Sequence, residues 1–346
     1  EILIGLVGSE MCIRDRDGVV TSHHAGKVTI TVREKESKKK ARHHITIEDI
    51  PYTSIEFAKN NPVSLESGTS HKMQLVTGPA NATDHRIKWT SSNKTAATVD
   101  ENGTVTALRP IETVTITAVY KTNPALTCSW NLKITRTKGY ITKQMLDNLD
   151  LTSIKKVMIT AHPDDETLWG GGHLIEGEYL VVCMTHGWNP KRRTAFEQTM
   201  RTTNDKYLIL DYPDVRKTFS NGKYETDMLS TCKNAMQEDI NLILSYKKWD
   251  LIATHNPFGE YGKFLHKTIS QMVTQCYNKM TNKSATLYYF GRYYNSSNKI
   301  PGEQIAPELL AIKNSMVGRY YPTAKGAIDA FGHMIPYENW LLPSEW

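Results

Sequence analysis

The chain has 346 residues, 42 of them basic and 36 acidic, for a formal charge of +6, and 39% are hydrophobic. Mean hydropathy is −0.46. That length predicts two or three domains of a soluble globular protein, and no apolar run is long enough to span a bilayer. The basic residues form no stripe interleaved with aromatics, so nucleic acid is not an expected partner; the knot at Lys38, Lys39, Lys40 and Arg42 reads as a solvated edge.

The first residue is Glu1 rather than Met, so the sequence reads as a fragment with its N-terminus missing. Ile2 to Val7 lacks the basic flank and cleavage site of a signal peptide, and residues 1–16 resemble a translated sequencing or cloning scar. Cys12, Cys128, Cys183, Cys232 and Cys276 are odd in number and never spaced as C-x-x-C, which predicts reduced, mostly buried thiols rather than a disulfide framework or a zinc knuckle.

From Asp17 onward Thr, Val, Ile and Lys alternate with the period of half-buried strands, as in Lys27-Val28-Thr29-Ile30-Thr31-Val32. The pattern recurs about 85 residues later: Val28-Thr29-Ile30-Thr31 returns as Val114-Thr115-Ile116-Thr117, and Asp17-Gly18-Val19 as Asn102-Gly103-Thr104. Residues 17–50 are expected to be the second half of a truncated repeat and residues 51–137 a complete one. Trp89 is the expected aromatic between two sheets and Asn102-Gly103 a hairpin turn. Lys88 to Asn93, followed by Ala97 to Ala107, resembles the group 2 bacterial immunoglobulin-like domain. The resemblance implies a spacer or adhesion module of a secreted or cell-surface bacterial protein, able to contact a surface or polysaccharide.

Near Lys138 the pattern changes. Lys156 to Thr160, Tyr179 to Met184, Tyr207 to Leu210, Asp250 to Thr254 and Thr286 to Phe290 read as buried strands. Helical periods run over Phe196 to Asn204, Thr226 to Tyr246 and Phe264 to Asn278. This alternation predicts an α/β, Rossmann-like domain over 138–346, its mostly parallel sheet covered by helices on both faces and its ligands held at the carboxyl ends of the strands.

The first strand delivers Ala161-His162-Pro163-Asp164-Asp165-Glu166 at its carboxyl end. Proline followed by acids also suits an ordinary helix N-terminus. The position at a strand end favours chemistry, as does a second cluster after a later strand, His255-Asn256-Pro257-Phe258-Gly259-Glu260-Tyr261-Gly262-Lys263-Phe264-Leu265-His266. In a parallel sheet both loops open on one edge, where His162, Asp165 and His266 can converge as a two-imidazole, one-carboxylate zinc site. Asp164 is then free to take a proton from water.

The two motifs resemble those of the PIG-L/LmbE family of zinc-dependent de-N-acetylases, over about residues 138–346. The resemblance implies Zn2+, with Fe2+ as the other candidate metal, and an N-acetylglucosamine-containing sugar or glycoconjugate as substrate. By position it makes His162, Asp165 and His266 metal ligands and Asp164 the general base. The second family motif, Tyr-Gly-His-x-x-His, reads Tyr261-Gly262-Lys263-Phe264-Leu265-His266 here, so Lys263 stands where a histidine is usual. Lys263, with Tyr261 beside it, is the expected oxyanion partner. Trp188 as a stacking platform, Arg193 on a sugar hydroxyl and Asn256 beside the site complete the expected substrate contacts. Two alternatives stay open: a catalytically impaired carbohydrate-binding or adhesion protein, and a zinc amidase for another N-acyl substrate.

Overall fold

A computed structural model describes residues 2–7, 12–14, 20–22, 25–34, 36–214, 227–281 and 283–346. The N-terminal part is all β. Gly26–Glu34 and Lys40–Ile47 pair antiparallel, and Ile2–Val7 adds to the free side of Gly26–Glu34. Val28 in this hairpin is buried, as is Val114, its counterpart in the recurring pattern. Residues 17–19, where that pattern begins, lie outside the described residues.

Between residues 54 and 135 short strands form a sandwich. One sheet runs Ile87–Ser91, Ile111–Tyr120, Thr127–Thr135, Ser64–Glu66; another runs Ala97–Val99, Thr104–Ala107, Ser70–Lys72; Ser54–Phe57 pairs with Leu75–Gly78. Alternate residues of each strand point inward, so Val105, Ala107, Val114, Ile116, Leu132 and Ile134 make a fully buried apolar core. Trp89 packs against it and meets Phe57 at 5.9 Å. The turn between Ala97–Val99 and Thr104–Ala107 is tied by Asp100 Oδ1, which accepts the backbone N–H of Asn102 and of Thr104 at 2.9 and 2.7 Å. Gly103 lies at φ +80°, and a Cβ there would stand 2.5 Å from the Trp89 ring. The turn requires glycine on both counts.

The C-terminal part is a five-stranded parallel sheet: β1 (Lys156–Thr160), β2 (Tyr179–Thr185), β3 (Lys206–Tyr212), β4 (Leu251–Thr254) and β5 (Thr286–Tyr289), in the order 3-2-1-4-5. Its principal helices are α1 (Asp165–Glu176), α2 (Pro190–Thr203), α3 (Lys233–Tyr246), α4 (Phe264–Lys279) and α5 (Pro307–Phe331). Val157, Ile159, Leu180 and Val182 pack with α3 and α4 on one face; Met158, Val181 and Cys183 pack with α1, α2 and α5 on the other. Both faces are covered, which is why the strands read as continuous apolar runs. The fold is Rossmann-like.

Gly170, Gly171 and Gly172 in α1 are packing glycines. Added Cβ atoms would lie 2.7 Å from Met158, 2.9 Å from Lys313 and 3.0 Å from Glu338, respectively. Lys313 is fully buried and pairs with Glu338 at 2.6 Å, and Glu338 also accepts the Gly172 and His173 amides, so the C-terminal segment is fastened onto α1. Cys183, Cys232 and Cys276 are buried and Cys128 is half-buried.

Sandwich and sheet touch through arginines. The Arg136 guanidinium lies 3.6 Å from the Tyr140 ring centroid and donates to Ser67 Oγ and the Gly139 carbonyl. Buried Arg109 donates to Thr95 Oγ1 and covers the Trp188 ring at 4.5 Å.

Candidate metal centre

The sheet order reverses between β1 and β4, the position at which an α/β sheet opens a crevice at its carboxyl edge. Four strand ends feed it. His162, Asp164 and Asp165 follow β1, His186 follows β2, Asp214 follows β3, and His255, Glu260 and His266 follow β4. All except Asp214 are at most 8% exposed.

The end of β1 is clamped on both sides. Thr185 Oγ1 donates to the Ala161 carbonyl at 2.7 Å, Thr254 Oγ1 to the Ile159 carbonyl at 2.9 Å, and the Ala161 amide to His255 Nε2 at 2.9 Å. The chain then enters α1 through Asp164 at φ 134°, a strained conformation for a residue with a side chain. His186 at φ 65° and Glu260 at φ 55° are strained as well, so the cluster gathers three such positions. Glu166, fully buried, holds the turn by accepting from the Asp164 amide, Thr167 Oγ1 and Tyr320 Oη.

His162 Nδ1, Asp165 Oδ2 and His266 Nε2 form a nearly equilateral triangle. The separations are 3.1 Å between the imidazole nitrogens, 3.2 Å from His162 to Asp165 and 3.3 Å from His266 to Asp165. A tetrahedral ion with ligands at about 2.0 Å needs edges of about 3.3 Å. The distal ring nitrogens fix the tautomers. His266 Nδ1 faces Glu260 Oε2, and His162 Nε2 faces Asp214 Oδ1 at 3.0 Å. His255 must carry its proton on Nδ1, because its Nε2 accepts the Ala161 amide, and that proton also points at Glu260. Protons held on the distal nitrogens leave two lone pairs and a carboxylate oxygen aimed at one point, an arrangement that a cation satisfies. The residues therefore fit a divalent metal.

The electrostatics agree. Burial, together with the neighbouring Asp165 carboxylate, raises Asp164 to about 7. Burial also acts to lower His162, but the Asp214 carboxylate outweighs it and raises the imidazole to about 9. Burial pulls His266 down to about 4 despite Asp165 and Glu260. Burial works against the Glu260 carboxylate, which His255 and His266 hold ionised at about 2. Four carboxylates, Asp164, Asp165, Asp214 and Glu260, stand here among four imidazoles that are neutral unless protonated, and a proton on His162 or a metal ion answers the same negative charge.

Two further triads have ligand atoms close enough for a metal: His162, His186 and Asp214, and His255, Glu260 and His266. The latter shares His266 and serves to orient it. Asp214, Glu260 and Glu166 were not singled out from the sequence. Glu260 lies within the second cluster, directly before the Tyr261–His266 motif and six residues before His266, and that proximity was the available signal; Asp214 follows a strand with no motif around it.

A cleft of ≈ 330 Å³ opens onto His162 and Asp165 of the triad and is lined also by Asp164, Trp169, Arg192, Tyr261 and Lys263 among others. Lys263 and Tyr261 thus stand at its wall. The three expected sugar contacts do not. Trp188 is covered by Arg109, Arg193 Nε donates to the Gly187 carbonyl at 2.7 Å, and the Asn256 amide bonds the Phe290 and Gly291 carbonyls and accepts two amides of its own loop. Arg193 and Asn256 thus spend polar groups on holding loops. Along α2 it is Arg192, the neighbour of Arg193, that reaches the cleft.

Fold and site together define the class: a bacterial immunoglobulin-like domain followed by a Rossmann-like sheet that carries buried His/carboxylate metal-binding triads. Residues 51–129 match the group 2 bacterial Ig-like domain. The chain belongs to the family of an uncharacterized protein of Acanthamoeba polyphaga mimivirus, with 31% identity over 175 residues, covering 46% of this chain and 67% of that protein. An uncharacterized protein of Clostridium acetobutylicum is 32% identical over 117 residues, 34% of this chain and only 12% of its own length. Among solved structures, a conserved protein of Thermus thermophilus is matched over 96% of its chain and 56% of this one, at 12% identity and a TM-score of 0.40. The S-layer protein SbsC is matched over 41% of this chain and 21% of its own, at 18% identity and a TM-score of 0.22. No described helix is long and apolar enough to cross a membrane.

Proposed function

We propose that residues 138–346 form a metal-dependent de-N-acetylase of the PIG-L/LmbE type, acting on an N-acetylglucosamine-containing substrate. In this reading residues 51–137 are an immunoglobulin-like module presenting the enzyme at a bacterial surface. The observation that carries the reading is the triangle of His162 Nδ1, Asp165 Oδ2 and His266 Nε2, with the ionisable Asp164 beside it on the cleft wall.

His162, Asp165 and His266 are the residues that would hold the ion, zinc or iron(II). A bound divalent ion supplies Lewis-acid polarisation of an acyl carbonyl and a lowered water pKa. Asp164 is not one of the three ligands; as a buried carboxylate raised to about 7 it is suited to accept a proton from the attacking water and pass it to the departing amine. Lys263 and Tyr261 line the cleft, and their ammonium and phenol would serve the negative charge that develops on the carbonyl oxygen. Glu260 and Asp214 orient the two imidazoles through their distal nitrogens. Acetate and a free amine are the products. The experiment is amine release by the zinc-loaded chain from N-acetylglucosamine and its oligosaccharides. Turnover that falls by about 10²- to 10⁴-fold in Asp164→Asn supports the reading, and an unchanged rate in that variant overturns it.

A further inference from the structure

The metal cleft continues outward into a wider groove of ≈ 790 Å³. Arg192, Tyr261, Lys263, Ala327 and Phe331 line both. The groove adds the Thr323–Ala327 segment of α5, where the helix is kinked at Ala324 just after Pro322 and the backbone turns aside to make room. Its polar character is one-sided. The groove lining contains Arg192, Lys263 and Lys325 and no Asp or Glu. Lys325 pairs outward with Asp329. Among the described residues Arg192 makes no ion pair of that kind: its Nη2 donates to the neutral Thr323 carbonyl at 3.1 Å. Both cations act on the centre itself, since Arg192 favours ionised Asp164 and Lys263 opposes a proton on His162. The cleft also holds a lone donor. Trp169 is 5% exposed and its Nε1–H, buried in the cleft wall, has no hydrogen-bond partner among the described residues.

Resting on the proposed deacetylase reading, we infer that the groove is an anion subsite, and that the substrate is an acidic N-acetylated saccharide carrying a phosphate or carboxylate one sugar or less from the acetamido group. Two cations shared by the groove and the mouth of a cleft whose interior is acidic sort the ends of a substrate. The neutral acetamide enters toward the carboxylates, and the anionic group stays at the rim between Arg192 and Lys263. An Arg guanidinium pairs with either anion in the same two-pronged manner, and Tyr261 and Phe331, packed on each other at 4.6 Å, supply one apolar wall for the sugar ring.

The test compares N-acetylglucosamine, its 6-phosphate and an N-acetylglucosamine–glucuronic acid disaccharide on the full zinc-loaded chain. One arm measures kcat/KM for amine release. The other measures calorimetric binding to the Asp164→Asn chain, which does not depend on turnover. At least about a tenfold preference for an acidic saccharide is expected, weakening as salt is raised. The preference is expected to shrink several-fold in Arg192→Gln, with the neutral sugar in the same variant controlling for folding. The phosphate and uronate arms identify the anion. Equal treatment of all three sugars, or a preference that Arg192→Gln leaves intact, overturns the subsite even if deacetylation stands. If no sugar is turned over, the deacetylase reading fails, and the binding arm still decides the subsite.

Discussion

The sandwich and the α/β sheet treat buried polar groups in opposite ways. The sandwich core is aliphatic, and its buried Asp84 is fully answered: Arg86 pairs with it at 2.7 Å, and Tyr120 Oη and Thr122 Oγ1 donate to the other oxygen. That hydrogen bonding holds Asp84 well below the usual carboxylate range. In the sheet, imidazoles and carboxylates from four strand ends are brought into one buried cluster where lone pairs face each other and three residues sit at strained φ. A region that only has to be stable satisfies its polar groups internally. A region that has to bind leaves them aimed at something else.

The largest expected effect comes from the cluster. Asp165→Ala removes the oxygen that His162 and His266 both face, and activity is expected to drop by at least about 10³-fold with the fold intact by circular dichroism. In the sandwich, Ile116→Ala opens a cavity in the aliphatic core and is expected to destabilise that module by about 2–5 kcal/mol in denaturant melts, with metal affinity unchanged. If metal binding weakened in parallel, the two regions would not be independent in the way described.

Glu260→Gln keeps the shape of the residue that orients His266, and should weaken metal affinity by about 10- to 100-fold in competition with a chelator. A smaller effect separates two structural carboxylates by pH. Burial raises Asp205 to about 7, against about 4 in an unfolded chain. The native state therefore keeps this proton longer. The associated stability is full below pH 4 and is lost as pH rises toward 7. Asp205→Asn should remove that slope, worth about 1–3 kcal/mol, from melts taken between pH 4 and 8. Asp84 has the opposite sign: its contribution is present above about pH 4 and is lost on acidification, so Asp84→Asn should lower stability at neutral pH and flatten the acid limb.

Much of the fold was legible because burial leaves a simple pattern. All five sheet strands coincide with apolar runs, and α4 with the Leu265, Ile269, Met272, Val273, Cys276 stripe. Helix starts were harder. α2 begins at Pro190, six residues before its apolar period, because the Asn189 side chain caps it by accepting the amides of Lys191 and Arg192. The stretch expected as one helix from Thr226 contains Asp227–Ser230 and then α3 from Lys233. α5 gave no clear signal, since Pro322, Gly318 and Gly326 interrupt its period. At the site, the triad could be read from two motifs at strand ends. Which neighbouring arginine faces the cleft, and that Trp188 lies under Arg109 of the sandwich, depend on helix phase and on contacts between the two regions that no local pattern records.

The most direct measurement is elemental analysis of the purified chain after dialysis against a weak chelator, set beside His266→Ala. One tightly held divalent ion per chain that is lost in the variant is the expected result. A chain that holds no ion, or a variant that retains it, would contradict the assignment of His162, Asp165 and His266 as a metal centre.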